Sequence, residues 1–239
     1  MNNIKNNLLS VVKIFAVVAT IGLSIGRAQG VFITEIADPN NASNARFVEL
    51  HNNTANDIDL TGWALRRWTN ANTDPQADKV LQGTIPAGGF FIITNNAEEF
   101  EGTYGIAANQ DIGTGGPADG NGDDDLALIN ANGEVVDLYG EGGGTDNSGT
   151  PWEFEDGRAE RIATVTAGNP TGDPAEWNID NDSGGGDGPQ EAPGDYDPGV
   201  WIGQPTPTNP YAHVWKLVPE AGALIVSSGE NATGSIWWS

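Results

Sequence analysis

The chain contains no cysteine, and only two histidines occur among its 239 residues. Without cysteine the protein can form no disulfide and offers no thiolate, so its stability must come from burial, backbone hydrogen bonds or bound ions. With His51 and His213 as the only imidazoles, a zinc or copper centre and a Ser-His-Asp set are both disfavoured. The sequence also lacks a phosphate-binding glycine loop with its lysine.

Basic residues are scarce as well. Lysine and arginine number 10 against 33 aspartates and glutamates, which gives a formal net charge of −23. So acidic a surface repels phosphate backbones, and nucleic acid is not expected as a partner. Two uses of the acids remain open, since they suit plain solvation of the surface and also the binding of divalent cations.

Long apolar runs are missing except at the N-terminus. There, Lys5 and Lys13 supply positive charge before an apolar stretch over residues 14–25, and small residues follow where a signal peptidase would cut. We interpret residues 1–28 as a secretory signal peptide and expect the mature protein to be secreted, extracellular or at the cell surface. No membrane span is expected after signal cleavage, because no stretch of that length follows.

The sequence does contain a series of short extended segments rich in β-branched and aromatic residues. Polar turns separate them, and no run among the first four has the length and period of an amphipathic helix. The segments lie at residues 33–36, 47–50, 58–65, 89–93, 126–129, 134–139 and 158–163. This spacing predicts an all-β protein built as a sandwich of sheets.

Alternation within the segments predicts which side chains face the core. In the second segment Val48 and Leu50 would point inward, while Glu49 and His51 would face the other side. His51 is therefore expected to be an ordinary surface residue. The Asn-Ala-Asn-Gly sequence at residues 130–133 lies between two extended runs and predicts a β-hairpin.

Several short motifs occur in an order that resembles one family. They are Ile33, Glu35 and Ile36; Glu49, Leu50 and Asn52; Asp59-Leu60-Thr61-Gly62-Trp63-Ala64-Leu65; Pro86-Ala87-Gly88-Gly89-Phe90; residues 124–128 with 133–137; and Gly157-Arg158-Ala159-Glu160-Arg161. The ordered set resembles the lamin tail domain, which recurs in secreted bacterial proteins. The resemblance implies an all-β fold, an immunoglobulin-like antiparallel β-sandwich, here with long acidic and glycine-rich loops.

Within such a sandwich Trp63 is expected in the core, because its ring is large enough to fill the gap between two sheets. Gly62 before it permits a tight bend. Residues 29–204 are expected to form the lamin-tail-like sandwich with its loop insertions. Residues 205–239 are expected to form a proline-containing linker and a short β tail.

Two acidic loops are candidate calcium sites, because calcium takes oxygen ligands that alternate along a loop. The same residue types also suit a flexible acidic loop or a glycine-rich turn, so both interpretations stay open. The candidate metal ligands are Asp180, Asp182 and Glu191, at positions 1, 3 and 12 of a twelve-residue loop, and Asp119, Asn121 and Asp123 in a shorter loop.

These features predict a secreted, non-catalytic binding, adhesion or structural module, with Ca²⁺ as the candidate ion and an unknown extracellular protein or polysaccharide as partner. One alternative is an accessory domain of a secreted hydrolase, or a nuclease or glycosidase in its own right, because lamin tail domains often accompany such enzymes. Another is a carbohydrate-binding module that uses tryptophans in excess of a small core, although these rings could instead cap the loops. The tryptophans concerned are Trp68, Trp177, Trp201, Trp215, Trp237 and Trp238.

Overall fold

A computed structural model describes residues 30–204 in full and, beyond them, the backbone of three tail strands. In chain order the strands are β1 (Val31–Ala37), β2 (Phe47–Asn52), β3 (Ile58–Asp59), β4 (Ala64–Trp68), β5 (Lys79–Val80), β6 (Thr84–Ile85), β7 (Phe90–Thr94), β8 (Gln110–Asp111), β9 (Asp125–Ile129), β10 (Val135–Tyr139), β11 (Arg158–Arg161), β12 (Trp177–Asp180), β13 (Lys216–Glu220), β14 (Ala223–Ser228) and β15 (Ala232–Ile236). The helical elements are α1 (Ala97–Tyr104) and two 3-10 turns, Ser43–Ala45 and Pro174–Glu176. The predicted signal peptide, His213, Trp215, Trp237 and Trp238 lie outside the described residues.

Two sheets form the body of the protein. The larger has six strands in the order β12-β11-β1-β2-β7-β8, and the smaller has four in the order β10-β9-β4-β5. Every pairing within them is antiparallel except that of β8 with β7. Strands β3 and β6 form a separate two-stranded ladder. The predicted immunoglobulin-like antiparallel β-sandwich is confirmed.

The facing sides of the two sheets bury one large apolar core. Ile33 of β1 and Leu50 of β2 meet Leu65 of β4 and Leu128 of β9, and all four are 0% exposed. Full burial of each such side chain stabilises the folded state by about 1.5–3 kcal/mol. Apolar burial on this scale is what a sandwich without disulfides needs.

Trp63 does not lie at the centre of the core as predicted. It is half-buried and packs against the core from the turn that precedes β4, so it lies outside the strand whose side chains alternate inward. Within this core the aromatic residue that is 0% exposed is Tyr139 at the end of β10. Its ring meets three others edge-on, at centroid distances of 4.9 Å to Trp152, 5.4 Å to Phe154 and 5.0 Å to Trp177.

Two predicted turns are confirmed. In the bend before β4, Gly62 has φ +84° and the Trp63 N–H donates to the Leu60 carbonyl at 2.9 Å. A positive φ at this position is readily adopted only by glycine. Between β9 and β10, the Gly133 N–H donates to the Asn130 carbonyl at 2.9 Å, which closes the expected hairpin.

The face of the larger sheet that points away from the smaller sheet is covered too. Helix α1 packs on it through Phe100, whose ring centroid lies 5.5 Å from that of Phe47 in β2. Residues 190–204, which we call the strap, lie over the same face and place Trp201 5.3 Å from Phe32 in β1. Both faces of β1 and β2 are therefore covered, and every residue of these two strands is buried.

The prediction that His51 is a surface residue is wrong, because its side chain is only 1% exposed. Its ring lies 4.7 Å from Phe90, 5.7 Å from Phe32 and 5.5 Å from Trp201. Alternation assigned His51 to the correct face, but the strap that covers this face comes from about 150 residues further along the chain. Burial lowers the pKa of His51 and so favours its neutral form.

Helix α1 is an addition to the predicted strands. The Asn96 side chain caps it by accepting the N–H groups of Glu98 and Glu99, and Gly105 ends it with φ +72°. Phe100 is its one buried residue. Eight residues with a single buried position carry too little periodicity to be recognised from the sequence.

The tail strands β13, β14 and β15 form a three-stranded antiparallel sheet. Across the parts of the chain that the structure describes, no helix has the length and apolar character needed to cross a membrane.

Candidate functional site beneath the strap and in the acidic loops

Three glutamates lie side by side on the covered face of the larger sheet. Glu49 of β2, Glu35 of β1 and Glu160 of β11 are 0%, 1% and 5% exposed. The register pairs Glu35 with both Glu49 and Glu160, and cross-strand neighbours have Cβ atoms about 4.5–5.5 Å apart. We call these residues the glutamate row. Burial of adjacent carboxyl groups is costly unless they are paired or protonated.

A β-bulge in β1 aligns the row. The pairing of β1 with β2 shifts between Ile33 and Glu35, which leaves Thr34 as the extra residue. The Thr34 hydroxyl donates to Oε1 of Glu49 at 2.6 Å. The bulge therefore sets Glu35 opposite Glu49 and also supplies one hydrogen-bond donor to the row.

In the fully described residues 30–204, Arg158 of β11 is the cation that lies beside the row. Its guanidinium nitrogens lie 3.5–3.8 Å from four carboxylates, close enough for attraction but too far for short hydrogen bonds. The four partners are Glu35 at 3.6 Å, Glu160 at 3.8 Å, Asp180 at 3.7 Å and Asp197 at 3.5 Å. One positive charge thus faces four acidic groups, with Glu49 as a fifth beside them.

The strap is bound to the row through its backbone. The Gly199 N–H donates to Oε2 of Glu49 at 2.5 Å, and the Ile202 N–H donates to the Glu160 carboxylate. Between these two amides the Trp201 ring enters the sheet face and is 2% exposed. The strap therefore supplies two hydrogen-bond donors to the buried acids and also covers them with an apolar ring.

Burial is the main influence on the charge state of the row. It raises the pKa of Glu49 to about 8 and raises the pKa of Glu35 well above its ordinary value. Burial also raises the pKa of Glu160, and Arg158 partly opposes this. Hydrogen bonds lower the pKa of Glu49, but by less than burial raises it. Burial therefore favours the protonated forms of Glu35 and Glu49.

Two open depressions flank Arg158, with volumes of about 310 and 430 Å³, and Asp187 lines both. The first extends along the strap to Asp195 and Asp197, and the second extends along β12. Their walls are mainly acidic and polar, so they suit small polar or cationic groups.

The shorter predicted calcium loop has its acids held by different partners. The Asp119 carboxylate accepts a hydrogen bond from the Asn95 side chain at 2.7 Å. Asp123 accepts one through Oδ2 from the Asn70 side chain at 3.2 Å, whereas its Oδ1 is buried with no donor. Asn121 is half-buried in the turn between the two acids.

The longer predicted calcium loop does not gather its three acids. Asp180 ends β12, and its Oδ1 accepts from the Asp187 N–H at 2.6 Å. Asp182 and Glu191 are both exposed. Two of the three carboxylates therefore lie in solvent, and the third is used within the protein.

The two loops nevertheless meet at one segment. The Phe154 N–H donates to the Gly122 carbonyl and the Asp182 N–H donates to the Glu155 carbonyl, each at 2.9 Å. The pKa of Glu155 is raised by burial and then by Asp182 and Asp123, so both loops act on one carboxyl group. Within the fully described part of the chain, no three Asp, Glu or His side chains form a group that could hold a metal ion in this conformation.

The glutamate row could be found only in part from the sequence. Glu35, Glu49 and Glu160 each occur in a motif of the family resemblance, on segments predicted to be strands. The sequence does not state that β1 lies between β2 and β11, so it does not place the three carboxyl groups together.

The described tryptophans proposed as stacking platforms are buried. Trp68, Trp177 and Trp201 are 7%, 6% and 2% exposed. None of these three rings is open to a sugar, and the alternative that they pack onto the sandwich is confirmed for them.

Comparison with known families bears on the first part of the chain. Residues 26–143 match the family model of the Lamin Tail Domain. The match includes β1 to β10, with Glu35 and Glu49, and ends before β11 and the strap. No curated protein is similar enough in sequence to match the chain.

Proposed function

The chain belongs to the lamin tail domain family, and from this premise we propose that it is a secreted, non-catalytic binding, adhesion or structural module whose acidic loops are ordered by calcium. The observation that carries the proposal is the convergence of two acidic loops on Glu155, at the rim of a sandwich that belongs to a family of non-enzymatic immunoglobulin-like domains.

The hydrogen bonding and the burial of the glutamate row support a non-catalytic role. Each oxygen of Glu49 accepts a hydrogen bond from the protein, and the strap covers the row. A general acid or nucleophile has to reach its substrate. Hydrolysis of a nuclease or glycosidase substrate by the purified protein, lost in Glu49→Gln, would overturn this part of the proposal.

Unpaired oxygens and surplus charge support the calcium part. Asp123 Oδ1 and Asn147 Oδ1 are buried with no hydrogen-bond donor, and oxygens of these types are calcium ligands. The charges of Asp182 and Asp123 both lie close to that of Glu155. A bound cation would relieve this repulsion, and the exposed Asp182 side chain is free to move toward it.

Calcium is expected to raise the melting temperature of chelator-treated protein, and EDTA is expected to reverse the effect. An ion that binds the folded protein alone stabilises it by about 2.7 kcal/mol at about 100 times its Kd. For a domain of this size about 1 kcal/mol corresponds to about 2–4 °C. Differential scanning calorimetry with and without Ca²⁺ measures the change.

Matched variants distinguish a specific calcium site from general screening of the protein's charge by ions. Asp123→Asn and Asp182→Asn are expected to reduce the calcium-dependent increase, while Glu101→Gln, on the exposed side of α1, keeps it. Magnesium at the same ionic strength should have a smaller effect, because it is reluctant to give up its water. Identical melting temperatures in Ca²⁺ and EDTA would remove calcium from the proposal.

We place the protein outside the cell, with the mature chain beginning at Gln29, and N-terminal sequencing of protein from the culture medium checks this. Its partner is an extracellular protein or polysaccharide. The burial of Trp68, Trp177 and Trp201 favours a protein partner, and the acidic surface favours one with basic groups. Pull-down assays that retain only a polysaccharide would contradict that preference.

A further inference from the structure

We propose that the strap, residues 190–204, is a proton-controlled clasp, which covers the larger sheet while the glutamate row is protonated and lifts from it when the row ionises. The proposal concerns regulation of the covered face and is independent of calcium binding in the loops.

The charge count beneath the strap is the first support. Three carboxyl groups lie in register across β2, β1 and β11, and two more belong to Asp180 and Asp197. Of the fully described residues, Arg158 is the cation that lies among them. With all five acids ionised, the cluster would carry five negative charges against one positive charge. Protonation of the row removes most of this imbalance.

Three other titratable groups near the row, His51, Tyr104 and Tyr196, do not change charge in the same pH range. Burial lowers the pKa of His51 and raises the pKa of Tyr104 and Tyr196, so all three stay neutral as pH rises from neutrality to mildly alkaline values. The groups that face Glu49 and Glu35 are His51 on β2, Arg158 and Glu160 on β11, Asp180 on β12, Tyr104 on α1, and Tyr196 and Asp197 on the strap.

The pKa of Glu49, about 8, indicates where the change falls. The sign follows from burial, which disfavours the charged form. The folded, covered state holds the proton, and its advantage over an open state is complete at low pH and is lost as pH rises through about 8.

The strap is the element that can move, because it is not part of a sheet. Some of its backbone hydrogen bonds are internal, as from Val200 N–H to the Asp197 carbonyl, and others join it to loops and to the row through Gln190, Ala192 and Gly199. The strands beneath it are held by their ladders. Asp197 is 49% exposed at its side chain and carries negative charge next to the row. Lifting the strap therefore lets water reach the row without breaking a sheet.

The chain has no cysteine, so single-cysteine variants test the clasp directly. Ala37, 2% exposed, packs in one cluster with Tyr196 of the strap, and Ala37→Cys would report opening by its reaction with a neutral maleimide. Ala131→Cys, in the exposed β9–β10 turn, corrects for the pH dependence of thiol reactivity. Ala127→Cys, 0% exposed in the smaller sheet, reports global unfolding.

The corrected labelling rate of Ala37→Cys is expected to rise by about tenfold or more between about pH 6 and about pH 9, because the ionised fraction of a carboxyl group grows tenfold per pH unit below its pKa. The rate of Ala127→Cys should stay constant. Adding Glu49→Gln to the Ala37→Cys protein should flatten the rise, since an amide cannot ionise. Glu35→Gln serves the same purpose if Glu49→Gln does not fold, and Glu101→Gln is the surface control.

A rate at Ala37→Cys that does not change with pH would overturn the clasp. So would an equal rise at Ala127→Cys, because the whole sandwich would then be opening. An unchanged rise in both glutamine variants would show that the row does not control the strap.

Discussion

At the scale of single residues, Arg161 shows how one side chain joins the two sheets. It lies on β11 of the larger sheet and is 0% exposed. Its guanidinium donates to Asp137 of the smaller sheet at 2.6 Å, to Glu176 at 3.0 Å and to the Ile33 carbonyl at 3.1 Å. The Trp177 ring covers it at 3.8 Å. Each of its three guanidinium nitrogens thereby has a hydrogen-bond partner.

Arg161→Met is expected to destabilise the protein by about 3–5 kcal/mol, because it leaves the buried carboxylate of Asp137 without its cation. Arg66→Met is the matched control. Arg66 pairs with Asp78 at the surface, and such pairs contribute about 0–1 kcal/mol. Chemical denaturation at neutral pH measures both changes, and equal losses in the two variants would contradict the role assigned to Arg161.

Residues 157–161 also show the limit of motif reasoning. Arg158 and Arg161 occur in one motif of the resemblance, yet Arg158 faces the strap and Arg161 faces the core. Side-chain alternation separates them onto opposite faces. Their partners, Asp197 and Asp137, come from other parts of the chain and are not deducible from the motif.

At the scale of elements, the strap shows that a long loop can be an integral part of the packing. The stretch over residues 170–198 is rich in Gly, Asp and Pro, which indicates a long loop. In the fold it supplies the edge strand β12 and then most of the strap. The strap is anchored by Trp201, whose indole N–H donates to the Arg161 carbonyl at 2.6 Å and whose ring packs on Phe32.

Trp201→Ala is expected to cost about 3–5 kcal/mol at about pH 6, where the strap is bound, because a large buried ring is lost. Ile202→Ala, the next residue, is 52% exposed and should change stability by less than about 0.5 kcal/mol. Urea unfolding of both variants provides the comparison. A small effect of Trp201→Ala would mean that the strap adds little to the folded state.

At the scale of the whole molecule, the excess of acidic over basic residues affects the stability of the entire fold. A formal net charge of −23 produces repulsion that favours expansion of the chain. Burial of apolar side chains in the sandwich opposes this repulsion. Salt should therefore act on stability apart from any specific ion.

Raising NaCl from about 0.01 M to about 1 M is expected to raise the melting temperature by several degrees, because the Debye length falls from about 30 Å to about 3 Å. Replacing two exposed acids, Asp74→Lys with Glu101→Lys, should reduce the increase by removing part of the repulsion. Thermal scans at several salt concentrations measure it. A melting temperature that falls or stays constant would contradict a role for repulsion.

The sequence by itself determined the β-segments, the β9–β10 hairpin, the bend at Gly62 and the family, because alternation and turn chemistry act between near neighbours. Only the tertiary structure decided the burial of His51, the position of Trp63 at the edge of the core and the assembly of the glutamate row. Each of these depends on which strands are adjacent and on a strap about 150 residues away from the strand that it covers. Burial is set by everything that packs on a side chain, and local sequence does not contain that information.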